Sequence, residues 1–189
     1  PARKRQATRP AALSRPDRTL DITAHNAPAH MTSLRPMPQT SFDAYRLASA
    51  QGYADDNVTS GRWPREAAFE RALEDFDQSL PDGLNTADNH VFEIRDDDLD
   101  VAVGALWFAV VQKNGIKSAF IYDVEVAAAY RRRGHARDAF TLLEPIVQAM
   151  GLRAIGLHVF NQNTSAQALY RSLSYEVTSV NMLKHLPPP

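Results

Sequence analysis

The sequence predicts a mixed α/β domain of the α+β class, built around one central sheet. The chain has 189 residues and a mass of 21.0 kDa, which suits one domain with a sizeable core. Its 44% hydrophobic and 23% charged residues lie near the averages for globular proteins. Its apolar patterns run in the order helices, then an antiparallel meander, then alternating helices and strands, which is the third indication of this class.

The folded domain is expected over residues 31–186, between a basic tail of residues 1–30 and a short tail of residues 187–189. The first 30 residues hold six Lys or Arg, two Asp and four Pro, with almost no apolar periodicity. That composition is typical of a disordered segment, and it lacks the apolar run of a secretory signal. Met31 then begins an apolar and polar alternation.

Two amphipathic helices are predicted first. Apolar residues recur every three or four positions over Thr40–Gln51 and over Pro64–Gln78. Thr40 or Ser41 suits the cap of the first helix, and Pro64 suits the first turn of the second. The turn Pro81-Asp82-Gly83 ends this helical part.

Three strands of an antiparallel meander are predicted next, over His90–Arg95, Val101–Gln112 and Ser118–Val126. Asp96–Asp98 separates the first two, and Asn114–Gly115 is typical of a hairpin turn between the second and the third.

The rest of the chain alternates between helices and strands. A helix is predicted over Arg133–Met150, with Pro145 inside it, and a buried strand over Ala154–Phe160. A second helix over Thr164–Ser172 and a last strand over Tyr175–Leu183 complete the domain.

The composition excludes several classes of site. Without cysteine there is no disulfide framework, no cysteine-ligated zinc or iron–sulfur centre and no mechanism through a cysteinyl thioester. The six His have no paired spacing, so no metal is expected. The net charge of −1 gives no field that would collect nucleic acid or a membrane, and the longest apolar run, Val101–Val111, is far below the ~20 residues of a membrane span. A cytoplasmic location is expected.

The segment that follows the third meander strand indicates an anion site. The chain passes through a short turn into a helix that starts near Gly134 and Ala136, where bare backbone N–H groups meet the positive end of the helix dipole. Arg131, Arg132 and Arg133 stand at this end, where cations are unfavourable unless an anion is bound. The segment carries neither the Gly-Lys-Ser/Thr of a triphosphate loop nor the three spaced glycines of a dinucleotide site, and it suits a pyrophosphate.

A second segment places Asn163, Ala166 and Tyr170 at spacings i, i+3 and i+7, on one face of a helix. Because Ala166 is small, a ligand has room between the amide and the phenol. The alternative is a helix capped by Asn163 with Tyr170 in the core, and the spacing does not separate the two.

The pair of segments resembles the GNAT N-acetyltransferases. Arg131-x-x-Gly134-x-Ala136 after the strand Val124-x-Val126 resembles their acetyl-coenzyme A pyrophosphate signature, and Asn163-x-x-Ala166-x-x-Leu169-Tyr170 resembles their second cofactor and catalytic segment. The resemblance covers about residues 31–185 and departs at Ser174, where the family usually has glycine. It implies a sheet of about seven strands with about four helices, splayed between strands 118–126 and 154–160 and holding acetyl-coenzyme A in the gap. The implied cofactor-binding residues are Val124, Val126, Arg131, Arg132, Arg133, Gly134, His135, Ala136, Arg137, Asn163, Ala166 and Tyr170.

The expected reaction is transfer of the acetyl group of acetyl-coenzyme A to a primary amine by direct attack in a ternary complex. The backbone N–H of Val126 or of a neighbouring residue would polarise the thioester carbonyl, and Tyr170 would protonate the departing thiolate. Three residues compete as the general base, namely Asp123, Glu125 and His158; His158 has the reference pKa nearest neutrality, and Glu125 comes next. The alternatives are transfer to a protein N-terminus or of a longer acyl chain, and a non-catalytic acyl-coenzyme A sensor.

The acceptor and the oligomeric state are the least determined features. Residues 40–83 hold nine Asp or Glu against four Arg. This acidic surplus suits either a pocket that attracts a cationic amine or an ordinary solvated helix face. Tyr45, Tyr53 and Trp63 suit either the core or an aromatic rim of the acceptor pocket. Both a monomer and a homodimer fit the sequence.

Overall fold

The computed structural model describes residues 31–113, 115–182 and 184, so the two predicted tails, residues 1–30 and 187–189, lie outside the described residues. Five strands and four α-helices are present among the described residues. The strands are β1 Thr32–Pro36, β2 Asn89–Asp96, β3 Val101–Lys113, β4 Ile116–Val126 and β5 Ile155–Leu157, and the helices are α1 Gln39–Thr59, α2 Ala68–Ser79, α3 His135–Ala149 and α4 Thr164–Ser172. The predicted mixed α+β class with one sheet is confirmed.

The strands form one sheet in the order β1-β2-β3-β4-β5, antiparallel except for the parallel pair of β4 and β5. Because side chains alternate along each strand, the two faces of the sheet pack into two separate hydrophobic cores. Leu106, Phe108 and Ile121 of the sheet form one buried cluster with Phe140 and Leu143 of α3. The other face packs against α1 and α2 through a second buried cluster. This cluster comprises Met37, Phe42, Tyr45, Phe76, Leu80, Val91, Ala105 and Trp107.

The strand count of about seven is higher than the five that the described residues form. The predicted last strand is the clearest difference, because residues 175–182 have no regular structure and Val177 and Val180 are 70% and 73% exposed. Its apolar pattern predicts a face but not a partner, and a strand is stabilised by pairing with a neighbour. The outer edge of β5 offers only three residues for such pairing.

Backbone conformation accounts for the helix starts that differ from the prediction. α2 begins at Ala68 rather than Pro64, after Ala67 adopts a left-handed φ of 57°. α3 begins at His135, after Gly134 adopts φ 104°. α1 begins after Pro38, without a side-chain cap, and the hydroxyl of Ser41 instead donates to Glu93 Oε1 at 2.7 Å.

One close approach fixes how β3 lies against β4. A Cβ on Gly104 would come within 2.1 Å of the carbonyl oxygen of Glu125 and 3.0 Å of the Cα of Val126, both backbone atoms that cannot turn aside. Gly104 therefore allows the close pairing with the end of β4.

We expect Gly104→Ala to destabilise the protein by about 2–3 kcal/mol, since overpacking against fixed backbone costs about 1–3 kcal/mol. Chemical denaturation would measure the change in the free energy of unfolding. Gly52→Ala is the matched control, because Gly52 lies inside α1 with nothing within 4 Å of its Cβ position, and alanine there is expected to stabilise by about 0.5–1 kcal/mol. Equal stability of the two variants would contradict the close approach.

Candidate active site

The sheet opens between β4 and β5. These strands pair over only three positions, from Ala119 opposite Ile155 to Ile121 opposite Leu157. β5 then ends, while β4 continues for five more residues to Val126. A β-bulge lies at the start of the opening, because Trp107 pairs with Asp123 but Phe108 pairs with Ile121, which leaves Tyr122 as the extra residue.

The opening exposes backbone groups of known direction. The N–H of Ala127 donates to Val103 O at 2.8 Å on the β3 side. Because backbone groups alternate along a strand, Val126 and Val124 direct their N–H and C=O groups away from β3 and into the opening. The carbonyl of Val126 accepts from Arg131 Nε at 2.7 Å. Polar backbone groups at such an edge call for a partner, which an amide-bearing ligand or water supplies.

The start of α3 follows directly after this edge. Gly134 is the residue before the helix and has φ 104°, a conformation that an L side chain rarely adopts. The N–H groups of His135, Ala136 and Arg137 have no acceptor inside the helix, because the first intrahelical bond runs from the N–H of Asp138 to Gly134 O, and they point out of the helix start. This geometry suits an anion.

The basic side chains around this helix start are exposed, and three of them are held by polar contacts. Besides Arg131 on Val126, Arg133 Nη2 donates to Ala129 O at 3.0 Å and Arg137 Nη2 donates to Ser172 Oγ at 2.9 Å. The contact of Arg137 joins the first turn of α3 to the last turn of α4.

The side chain of His135 points away from the anion site. It is buried, with its Nδ1 at 3.0 Å from Thr32 Oγ1 and its Nε2 at 3.5 Å from Asp96 Oδ2. Asp138 Oδ2 accepts from the same Thr32 hydroxyl at 3.0 Å. Of the residues predicted to bind the cofactor, His135 therefore offers only its backbone N–H, and its ring joins α3 to β1 and β2.

The second predicted segment is the helix α4. Asn163 caps this helix, with its Oδ1 accepting from the N–H of Ala166 at 3.1 Å. Tyr170 packs against Phe140 and Tyr175, with ring centroids 5.4 and 5.9 Å away. Burial raises the pKa of Tyr170 to about 12, and the charge of Asp123 adds to the rise. The phenol thus holds its proton at neutral pH, as a proton donor must.

Asp123 is the half-buried carboxylate of the opening. The hydroxyl of Tyr45, from α1, donates to Asp123 Oδ2 at 3.0 Å. Burial raises the pKa of Asp123 to about 6; the hydrogen bonds of Tyr45 and Ser49 oppose this rise, and the charge of Glu125 adds to it. A carboxyl group with this pKa changes its charge close to neutral pH.

The other two residues that the sequence predicts as bases lie in more open places. Glu125 is exposed and forms an ion pair with Arg131, Oε1 to Nη2, at 3.5 Å. His158 is exposed, its ring lies 5.4 Å from that of Phe160, and burial together with the charge of Arg62 lowers its pKa.

The aromatic residues divide between core and rim. Tyr45 is buried against Phe76, with ring centroids 5.8 Å apart. Tyr53 is 44% exposed and meets the edge of Trp63 at 5.3 Å, and the guanidinium of Arg71 covers the Trp63 ring at 4.3 Å. The sequence spacing could not show that Tyr45, although it belongs to the core, also donates a hydrogen bond to Asp123.

Comparisons with known proteins identify the family of this chain. Residues 50–175 match the acetyltransferase (GNAT) family. The chain belongs to the GNAT family. It is therefore an acyltransferase enzyme, and the predicted family, enzyme class and fold class are confirmed.

Two Bacillus subtilis (strain 168) relatives are themselves named as uncharacterized N-acetyltransferases. YdgE is 31% identical over 154 residues, which are 82% of this chain and 98% of YdgE. YycN is 33% identical over 153 residues, which are 81% of this chain and 97% of YycN. The crystal structure of YycN, a putative acetyltransferase, superposes with a TM-score of 0.78 at 32% identity and covers 84% of this chain and 100% of that one.

A structural neighbour of lower sequence identity shows the fold alone. The structure of AAC(6')-Iy in complex with a bisubstrate analog, CoA-S-monomethyl-acetylneamine, has a TM-score of 0.57 at 18% identity and covers 84% of this chain and 99% of that one. No helix among the described residues is long and apolar enough to cross a membrane.

Proposed function

We propose that this enzyme transfers the acetyl group of acetyl-coenzyme A to a primary amine by direct attack. The observation that carries the proposal is the unpaired edge of β4, with the N–H groups of Val124 and Val126 facing the opening, directly before the anion-binding start of α3. The pantetheine amides pair with Val124 and Val126 as an added strand. The pyrophosphate lies on the N–H groups that follow Gly134, with the arginines of residues 131–133 around it.

Each step of the reaction has a residue in this arrangement. The N–H of Val126 donates to the thioester oxygen and stabilises the charge that develops there. Tyr170 gives its proton to the sulfur as the C–S bond breaks. Because the chain has no cysteine, the acetyl group passes directly to the amine without a cysteinyl intermediate.

A panel of primary amines is used to test this activity. Thiol release from acetyl-coenzyme A is followed with a thiol reagent against primary amines of different charge, beside a direct measurement of acetyl-coenzyme A binding. The protein itself contributes no thiol, so all of the signal is coenzyme A. Turnover with at least one amine is the expected result. Binding without turnover on any amine would favour the sensor alternative. Faster thiol release from a longer acyl-coenzyme A in the same assay would favour transfer of a longer acyl chain.

We further propose that the amine acceptor is cationic. Asp123 and Glu125 lie on the strand beside the opening, and α1 and α2 carry most of the acidic surplus of residues 40–83. This negative potential attracts amines that carry a second positive charge, such as polyamines, aminoglycosides or lysine-like amines.

We expect kcat/KM for a diamine to fall about tenfold between 0.02 and 0.3 M salt, since screening weakens steering by surface charge. A monoamine of the same length is the matched control and is expected to change by less than about twofold. Equal salt dependence of the two substrates would contradict a cationic preference.

A further inference from the structure

Asp123 differs from the other two candidate bases in how firmly it is held. Its Oδ2 accepts the Tyr45 hydroxyl at 3.0 Å, and Tyr45 is fixed in the core between α1 and the sheet. Glu125 is engaged with Arg131 near the anion site, and His158 lies exposed against Phe160. A proton acceptor needs a set position relative to the attacking nitrogen, and of the three only Asp123 is positioned by a buried donor.

Asp123 also lies close to the backbone of Val124 and to the proposed proton donor, Tyr170. A hydrogen bond from the backbone N–H of Val124 lowers the pKa of Asp123, so the carboxylate lies beside the strand edge where we place the pantetheine. The charge of Asp123 raises the pKa of Tyr170 on α4. The Asp123 carboxylate is therefore hydrogen-bonded to Tyr45 of α1 and lies close enough to the proposed proton donor for its charge to act on it.

We propose that Asp123 is the general base that takes a proton from the incoming ammonium group, and that Tyr45 is its positioning residue. This inference rests on the proposed acetyl transfer and names the group that enables it. The carboxylate accepts one proton, the freed nitrogen lone pair forms the C–N bond, and the C–S electron pair leaves with sulfur. Tyr170 protonates that sulfur, the proton lost from the new amide nitrogen restores the phenol through water, and Asp123 returns its proton to solvent.

The two proton transfers support each other electrostatically. While Asp123 is charged it raises the pKa of Tyr170. Once Asp123 is neutral that contribution is gone, and the phenol becomes a stronger acid at the stage when the thiolate needs a proton. The charge of Asp123 likewise raises the pKa of Tyr45, after burial as the larger cause, so Tyr45 stays a hydrogen-bond donor throughout.

The groups around Asp123 shift its pKa in opposite directions, and these directions determine how each variant should move the pH profile. From α1, Tyr45 and Ser49 lower its pKa by hydrogen bonding; from β4, Glu125 raises it by charge and the Val124 N–H lowers it. Trp107, opposite on β3, does not titrate, and Tyr170 on α4 is neutral at the pH of interest. A base works only when deprotonated, so kcat/KM falls as the pH falls through about 6.

The experiment is a pH profile of kcat/KM for the full chain with one amine from the panel. We expect Asp123→Asn to lower kcat about 10²- to 10⁴-fold and to remove the acidic limb, with acetyl-coenzyme A affinity retained. Tyr45→Phe is expected to move the limb to higher pH, because it removes a hydrogen bond that lowers the pKa. Glu125→Gln is expected to move it to lower pH, because it removes a charge that raises the pKa. A merely structural role of Tyr45 would not give these opposite shifts.

The outcomes separate this inference from the proposed function. Asp123→Asn with a retained acidic limb and near-normal kcat would overturn the inference, and loss of the limb in His158→Ala would assign the base to His158. If Asp123→Asn does not fold, shifts of Tyr45→Phe and Glu125→Gln in the same direction would overturn it equally. A wild-type protein that binds acetyl-coenzyme A but releases no thiol with any amine would overturn the acetyl transfer itself.

Discussion

Tyr170→Phe is expected to lower kcat about 100-fold while the dissociation constant of acetyl-coenzyme A changes less than about twofold, since general acid catalysis contributes about 10²- to 10⁴-fold. The phenylalanine ring keeps the packing against Phe140 and Tyr175. The hydroxyl is required only when the thiolate leaves, so its removal acts on the transition state and not on the bound ground state.

Single-turnover kinetics would measure the loss without interference from product release. Tyr175→Phe is the matched control, because its ring belongs to the same cluster with Phe140 at 5.7 Å and burial raises its pKa as well. We expect this control to stay within about threefold of wild type in kcat. Equal rates for Tyr170→Phe and wild type would mean that water, and not Tyr170, protonates the sulfur.

Local patterns predicted the elements well wherever the local signal and the tertiary partner agree. The helix Thr164–Ser172 was predicted with both of its observed ends, because Asn163 caps it and its sequence then favours a helix. The meander strands were predicted to within two residues at each end, since alternation and the hairpin turn fix both their period and their limits.

Boundaries failed where a distant contact or an unusual backbone angle decides them. β5 covers only Ile155–Leu157 of the predicted Ala154–Phe160, because β4 diverges from it at the bulge of Tyr122. The sequence of β5 carries no mark of that divergence. Ala67, with φ 57°, delays the start of α2 although alanine has no intrinsic preference for this angle.

The features of the candidate site likewise divide into those that the sequence predicts and those that depend on contacts between distant residues. The resemblance supplied the roles of Val124 and Val126, whereas the residues near Gly134 indicated the anion site by themselves. The observed geometry follows from strand alternation and from the positive φ of Gly134. The bond between Tyr45 and Asp123 joins residues 78 positions apart, and no spacing rule could bring them together. His135 lies inside a motif that suggests a ligand contact, yet its ring is buried against Thr32 and Asp96.

Gly134→Asp is expected to raise the dissociation constant of acetyl-coenzyme A about 100-fold, and that of a pantetheine fragment without the pyrophosphate by less than about threefold. The added negative charge would repel the pyrophosphate that we place at this helix start, and φ 104° adds strain for any side chain. An acidic residue at a helix start is otherwise favourable to the helix, so the loss is expected in anion binding.

Gly151→Asp is the matched control, because Gly151 follows the other end of α3 with φ 76° and nothing within 4 Å of its Cβ position. It introduces the same side chain and a similar strain, and it is expected to leave the dissociation constants of both ligands within about twofold. Gly134→Ala separates strain from charge at the proposed site itself. Calorimetric titration of the three variants with both ligands measures all of these effects. Equal weakening of acetyl-coenzyme A and the pantetheine fragment by Gly134→Asp would mean that the start of α3 shapes the opening as a whole and does not hold the pyrophosphate.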